Sequence, residues 1–464
     1  MKLWNLWYSC VQDLQASCSR KRTFLYLVLV LVGFSTRWDN AGVTSFIRAV
    51  SLEPMLYRGM LHFFNYSEGL NLALLTRLWI QLVHRMLPAL QVGEYTVYVA
   101  DGLKAAKEGK KMPAVKKLHQ SSANNSKAAY IMGHSFQAIA LLVRTAGGQV
   151  AARIHEGLIW FPGERRSLLD KLVLLFQETM SAVDRKAMLV VDAYYASRKV
   201  IEPLLREGHQ LLTRVRSNAV GYQPVPPPKV KKRGRPKKYG KKVALQSYFA
   251  QTTEFIQALS PVYGESRTLI QYRTEDLLWR PIGRVVRFVW VIHPTRGKLI
   301  LMCTDISMDP LKIMEMYGYR FKIEVSFRHA VHGMGTYAYH FWMQAMKPLR
   351  QNEGNQYLHK KEEAYRKAVK RKMEAYHRYV QLGCIAQGLL QYLALQHGQE
   401  VWSNFRSWLR TMKTDQPPSE LVVSYALRSS LFDFLVNSPE DHKLKKIIAE
   451  NMTVQQLQDY QQAA

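Results

Sequence analysis

The spacing of apolar and polar residues divides the chain into a helical beginning, a strand-rich middle and a helical end. Apolar residues recur at helical spacing through 3–33, 41–51, 53–63 and 68–89, so residues 1–90 are predicted to be helical. Several short helices in a basic chain suit a DNA-binding domain, and they suit a plain helical scaffold equally well. The pattern does not identify a recognition helix.

Short β-rich runs alternate with helical stretches in the next part of the chain. Strands are predicted at 95–100, 131–144, 149–158, 188–191 and 209–216, with helices at 165–183 and 197–208. Three antiparallel strands are thus followed by two crossover units. This is the strand order expected of a ribonuclease H-like mixed sheet in the α/β class, and we assign residues 91–216 to it.

A β-rich insertion with a basic loop is predicted at 217–308. Residues 229–242 contain nine basic residues and no acidic one, so this loop is predicted to stay in solvent or to be ordered by a ligand. Strand-like runs follow at 267–273, 285–292 and 298–304. Asp309-Pro310 then predicts a helix start, with helices at 310–332, 358–395 and 399–412. We assign 309–345 to the sheet domain again and 346–464 to a C-terminal helical region.

Charge and length limit the classes of function. The chain has 464 residues and a formal net charge of +30, which points to a polyanionic partner such as nucleic acid or an anionic membrane. The apolar run Phe24 to Phe34 is shorter than the roughly 20 residues that a membrane-spanning helix needs, so we predict a buried helix. A membrane-associated basic protein remains a further alternative. The four scattered cysteines are predicted to be free thiols in a reducing compartment.

Three carboxylates stand at positions that favour a metal site. Asp101 and Asp192 each follow an apolar strand, and strand ends line the ligand crevice of such sheets. Glu324 lies on the helix after the insertion. Hard divalent cations prefer oxygen ligands, and a pair of ions can activate a water or hydroxyl group and stabilise the leaving oxygen of a phosphodiester.

The helix around Glu324 permits two interpretations. Helical spacing places Tyr317, Arg320, Glu324, Arg328 and Val331 on one stripe. One interpretation is a structural Arg-Glu-Arg ladder, worth a few tenths of a kcal/mol per pair. The other is a metal-binding glutamate with neighbouring arginines that hold phosphate.

Three sequence blocks resemble a known family. Val99-Ala-Asp101, Val190-Val-Asp192-Ala-Tyr-Tyr and the set Tyr317, Arg320, Glu324 are similar to the blocks of DDE transposases of bacterial insertion sequences, in the group with a Tyr-x2-Arg-x3-Glu signature. The chain departs from that group at Val331, where the signature has a basic residue. His329, His332 or Arg328 is a candidate substitute.

The resemblance implies transposition by metal-dependent cleavage at transposon ends and strand transfer into target DNA. Asp101, Asp192 and Glu324 would be the catalytic metal ligands, with Mg²⁺ as cofactor and Mn²⁺ as a possible substitute. The implied partner is double-stranded DNA, both terminal repeats and target, bound by at least a homodimer without a small-molecule substrate or a membrane. The implied location is the bacterial cytoplasm, at the nucleoid. The alternative function is a catalytically inactive DNA-binding protein derived from a transposase.

The predicted DNA contacts fall into two groups. Tyr317 and Arg320 are candidates for the transferred strand, and Arg328 for a phosphate, because the planar arginine fork suits phosphate oxygens. Arg233-Gly-Arg235-Pro resembles the core of an AT-hook, which inserts arginines into a narrow minor groove. A nonspecific phosphate-binding loop fits equally well. The loop residues assigned to DNA are Lys231, Lys232, Arg233, Arg235, Lys237 and Lys238.

Overall fold

The computed structural model combines a large mixed sheet with helices from both ends of the chain. The structure describes residues 2–40, 42–107, 109–120, 128–145, 148–153, 166–225, 237–265, 267–350, 356–359, 361–456 and 458. The α-helices are α1 (Lys2–Gln12), α2 (Lys21–Thr36), α3 (Thr44–Ala49), α4 (Leu56–Tyr66), α5 (Leu72–Met86), α6 (Leu168–Ala182), α7 (Arg198–Arg206), α8 (Pro310–Gly318), α9 (Phe321–Arg328), α10 (Glu363–Gln396), α11 (Gly398–Asn404), α12 (Glu420–Asn437) and α13 (Lys443–Ala449). A π-helical turn, His329–Gly333, follows α9 directly.

The strands form one sheet. They are β1 (Gln91–Val92), β2 (Tyr95–Ala106), β3 (Lys116–His119), β4 (Tyr130–Thr145), β5 (Gly148–Arg153), β6 (Ala187–Val191), β7 (Gln210–Arg214), β8 (Val220–Tyr222), β9 (Lys242–Ala244), β10 (Ile256–Leu259), β11 (Leu269–Trp279), β12 (Arg284–His293) and β13 (Gly297–Cys303). Among the described residues the order is β3-β4-β2-β6-β7-β13-β12-β11-β8-β9, while β1 pairs with β2, β5 with β4 and β10 with β11.

The pairing confirms the predicted fold class. β4 pairs antiparallel with both β2 and β5, and β2, β6 and β7 run parallel to one another, as in a ribonuclease H-like sheet. Each parallel step crosses over through a helix, α6 and then α7. Strands from the insertion continue the sheet beyond β7, because β13 pairs antiparallel with it.

The central strands β6 and β7 are buried on both faces, and the two helical ends of the chain pack together. Helix α10 contacts α2 and α4, and α12 also packs against α2. The apolar run Phe24 to Phe34 lies in α2, and every residue of this run except Leu25 is buried. Within the described residues, none of the helices combines the length and apolar character that crossing a membrane requires. The four cysteines are free.

Several predicted boundaries were wrong. The predicted helix at 3–33 is interrupted, since α1 ends at Gln12 and α2 begins at Lys21. The predicted helix at 310–332 breaks after Gly318, and Arg320 precedes α9. Strand β2 does not stop at Asp101 but continues to Ala106, because the long strand β4 still pairs with it there.

Candidate active site

Strand alternation directs Asp101 and Asp192 to the same face of the sheet. Val97 and Val99 of β2, together with Met188 and Val190 of β6, pack on the side covered by α8 and α9. Successive side chains of a strand point to opposite faces. Asp101 lies two residues after Val99, and Asp192 lies two residues after Val190. Each aspartate therefore points to the same face as these valines, toward α8 and α9.

Arg320 links two of the three candidate carboxylates. Its Nη1 donates to Asp101 Oδ2 at 3.0 Å, and its Nη2 donates to Glu324 Oε1. Asp101 and Arg320 are largely buried, with side-chain exposures of 20% and 18%. The guanidinium therefore lies where two carboxylates from distant parts of the chain converge, and α9 is oriented so that Glu324 reaches the end of this bridge.

Asp192 and Glu324 both influence the ionisation of Asp101. Burial raises the pKa of Asp101 to about 6, and Asp192 and Glu324 add to this rise while Arg320 opposes it. Burial alone would lower the pKa of Arg320, but Asp101, Tyr317 and Glu324 outweigh it and raise that pKa. Asp101 is thus near enough to Asp192 and Glu324 for their charges to disfavour its ionised form, while the Arg320 cation favours it.

Asp192 is held by the turn that follows its strand. Its Oδ1 accepts from the backbone N–H of Tyr194 at 2.9 Å, and its carbonyl accepts from Thr213 Oγ1 at 2.8 Å. Tyr195, in the same turn, is buried and donates its hydroxyl to Gln137 Oε1 at 2.6 Å. Burial, with Asp101 and Asp192 nearby, raises the pKa of Tyr195 well above its ordinary value, so the phenol stays neutral. Tyr195 ends the sequence block that contains Asp192, but the sequence alone predicted no role for it.

The donor set suits a divalent cation, although a guanidinium lies between two of its members. Three carboxylates are the oxygen ligands that hard cations prefer. Among the described residues, no three His, Cys, Asp or Glu side chains are already grouped closely enough to hold an ion. If Arg320 moves from between Asp101 and Glu324, the carboxylates of Asp101, Asp192 and Glu324 could hold a divalent metal ion.

A basic cavity of about 290 Å³ opens beside Arg320. It lies between α8 and strands of the insertion, and Tyr317 lines it. Burial raises the pKa of Tyr317. The cationic residues in its lining are Arg214, Arg296, Lys298 and Arg320. Arg214, Arg296 and Lys298 could not be predicted from the sequence, because the pairing of β7 with the insertion strand β13 brings them close to Tyr317.

The remaining predicted DNA contacts are dispersed. Arg328 is exposed at the end of α9, so it does not share the inward position of Arg320. Of the Arg-Glu-Arg ladder, the described residues contain the Arg320–Glu324 pair. Lys237 and Lys238 are exposed. Lys231, Lys232, Arg233 and Arg235 lie outside the described residues.

The candidates to replace a basic residue at Val331 differ in their surroundings. Val331 is partly buried against the core. His329 pairs through Nδ1 with Glu420 at the start of α12. Arg328 and His332 are exposed, so these two side chains are accessible to a phosphate.

Comparison with known proteins supports the resemblance. The family model described as DDE superfamily endonuclease matches residues 165–275. The matched region contains Asp192, while Asp101 and Glu324 lie outside it. A comparison with curated proteins found no match. The match supports a DDE-type transposase and does not extend to the Tyr-x2-Arg-x3-Glu signature.

Proposed function

From the premise that the chain carries a DDE superfamily endonuclease region, we propose that it is a transposase that cleaves DNA at transposon ends and transfers the cut strand into target DNA. The observation that carries this proposal is the convergence of Asp101 and Glu324 on Arg320, with Asp192 close enough to raise the pKa of Asp101. A carboxyl group whose pKa is raised by burial and by neighbouring carboxylates is typical of functional sites.

We assign metal binding to Asp101, Asp192 and Glu324, with Mg²⁺ as the expected ion and Mn²⁺ as a substitute. When bound, such ions would neutralise charge at the phosphodiester and supply an activated water or hydroxyl group. Buried, neutral Tyr195 would limit water around the carboxylates. Asp192 would keep its orientation through the Tyr194 N–H and Thr213 contacts described above.

Arg320 and Tyr317 have a second role in this proposal. Both line the basic cavity, so a phosphate that enters it would meet the Arg320 fork. Arg320 would then exchange the carboxylates for the phosphate and leave Asp101 and Glu324 free for metal. The same proposal makes the terminal repeats and the target DNA the partners of the protein. It also includes an assembly of at least two copies, which would pair the two transposon ends, and association with the bacterial nucleoid.

The alternative is a DNA-binding protein without catalysis. The position of Arg320 favours it specifically, because the guanidinium already neutralises Asp101 and Glu324. In this alternative Arg320 stays paired with Asp101 and Glu324, and the basic residues alone account for the binding of DNA.

Cleavage of a labelled duplex that carries the ends of the DNA flanking the gene distinguishes the two functions. Asp192→Asn removes the charge but keeps an oxygen that accepts from Tyr194 N–H. Asp305→Asn is the matched control, since Asp305 Oδ1 accepts from Ser307 N–H at the same 2.9 Å outside the carboxylate cluster. We expect cuts that need Mg²⁺ or Mn²⁺, survive Asp305→Asn and disappear with chelator or Asp192→Asn. Binding without cutting by wild type and both variants would refute catalysis.

A further inference from the structure

Exposed cations from three helices gather on one side of the helical region. On α4, Arg58, His62 and Tyr66 follow one another at intervals of four residues, so they share a stripe. All three are exposed, while Met60 and Phe64 of the same helix are buried. Helix α4 thus presents a basic and aromatic stripe to solvent.

Close packing of α2 against α4 brings two more arginines to this stripe. A Cβ at Gly59 would lie 1.9 Å from the hydroxyl oxygen of Tyr26, so only glycine permits this approach. Arg20 and Arg22, at the start of α2, therefore lie beside α4. Together the two helices form an open cleft of about 530 Å³ lined by Arg20, Arg22, His62 and Tyr66, with Glu68 as an acidic neighbour.

Helix α10, more than 280 residues away in sequence, extends the same side. The Arg371 guanidinium lies 5.0 Å from the centre of the Tyr66 ring, and Lys372 Nζ donates to Asn65 Oδ1 at 3.1 Å. Tyr66 in turn stacks with His62 at a ring distance of 5.6 Å. The aromatic rings thus connect the cations of α4 with those of α10.

The arginines on this side lack carboxylate partners among the described residues. Arg20, Arg22, Arg58 and Arg371 are exposed, and in the part of the chain that the structure describes none forms an ion pair with a carboxylate. Lys367 and Lys370, also on α10, differ because Glu363 and Glu374 pair with them. Unpaired arginines on three converging helices create a positive field that an anionic partner can use.

We propose that this surface, which we call the N-terminal basic face (Arg20, Arg22, Arg58, His62, Arg371 and Lys372), binds the sugar-phosphate backbone of duplex DNA outside the carboxylate site. The proposal rests on the proposed function, which makes DNA the substrate. The planar guanidinium group of arginine can donate two parallel hydrogen bonds to the oxygens of one phosphate. The cations of this face are distributed over three helices, so an extended polyanion can contact more of them than a single small anion can.

Salt dependence of binding tests the proposal directly. Affinity for a labelled duplex is measured by fluorescence anisotropy at several salt concentrations, with the full chain and chelator so that no DNA is cut. The test variant combines Arg22→Met, Arg58→Met and Arg371→Met. The control combines Arg198→Met, Arg206→Met and Arg406→Met; these arginines are also exposed, but each is paired with Glu202 or Asp433.

Each lost phosphate contact reduces the slope of log affinity against log salt by about 0.9. We therefore expect the test variant to reduce the slope by about 3, with affinity at least about tenfold weaker in moderate salt, and the control to leave both nearly unchanged. An unchanged melting temperature will show that the test variant is folded. Equal slopes for the two variants would overturn the proposal.

The outcome is independent of the nuclease assay. If the basic face fails this test while metal-dependent cutting depends on Asp192, only the basic face is refuted. If the slope falls as expected but wild type never cuts, the surface stands and the catalytic function fails. Anionic vesicles that bind wild type more tightly than the duplex does would also overturn the choice of DNA.

Discussion

The ion pair between His329 and Glu420 is expected to stabilise the packing of the segment after α9 against the C-terminal helices. His329 follows α9 directly, five residues after Glu324, and Glu420 begins α12. The Glu420 side chain is 14% exposed and also accepts from Gln391 Nε2 at 3.0 Å. Two substitutions separate the partners, His329→Gln and Glu420→Gln.

The two substitutions should have unequal costs. His329→Gln leaves a buried carboxylate without its cation, and such a loss destabilises a protein by about 3–5 kcal/mol. Glu420→Gln leaves a histidine that is 33% exposed and can release its proton to water. That variant loses the charge on its hydrogen bonds, which costs about 1.5–3 kcal/mol.

The pH dependence has a definite sign. Hydrogen bonding to Glu420 raises the pKa of His329 from 6.5, so its stabilisation is complete below that value and is lost as the pH rises through the raised pKa. Burial alone would raise the pKa of Glu420, but the hydrogen bond and charge of His329, together with the hydrogen bonds from Gln391 and the backbone, outweigh burial and lower that pKa from 4.5. The contribution of Glu420 is therefore complete above 4.5 and is lost as the pH falls through the lowered pKa.

Urea unfolding at a series of pH values measures both effects. In the double variant we expect a destabilisation smaller than the sum of the singles, and His329→Gln should flatten the loss of stability above pH 6.5. Additive single variants with an unchanged pH profile would refute this account of the contact.

Three further outcomes follow from the described contacts. Asp101→Asn, measured in chelator, should stabilise the protein by up to about 3 kcal/mol at pH 7, because wild type loses stability as the pH rises through the raised Asp101 pKa of about 6. If the stabilities of wild type and variant change in parallel between pH 4 and 7, this explanation is contradicted. Ser167→Ala removes the capping box with Asp170 at the start of α6 and should cost about 1 kcal/mol in urea unfolding. Gly388→Ala places a Cβ 2.2 Å from the ring of buried Trp79 and should cost about 1–3 kcal/mol, whereas Gly333→Ala, with nothing within 4 Å, should cost less than 1.

Alternation along the strands made much of the site predictable. The apolar registers of β2 and β6 determine which face Asp101 and Asp192 occupy, and both registers can be read from the sequence. The i,i+4 spacing of Arg320 and Glu324 likewise predicted their contact, which the structure contains. These features depend on residues close in sequence, so local patterns suffice.

Features that depend on distant partners could not be predicted in this way. The continuation of β2 past Asp101 is set by the length of β4, and the contact from Arg320 to Asp101 joins residues 219 positions apart. The break after Gly318 accompanies stacking of Tyr319 on Tyr263, with ring centres 5.6 Å apart. Helical periodicity carries no information about a ring contributed by the insertion.

The pairing of β13 with β7 has a consequence for attempts to shorten the protein. Leu301 and Cys303 of the insertion pair with Arg214 and Leu212, so the insertion covers strand β7 of the ribonuclease H-like sheet. Deleting 217–308 would leave β7 with unpaired backbone groups beside the fully buried side chain of Leu212. An uncovered strand of this kind is a template for association with other chains. A minimal nuclease made by removing the insertion is therefore expected to aggregate, even though all three carboxylates would remain in the chain.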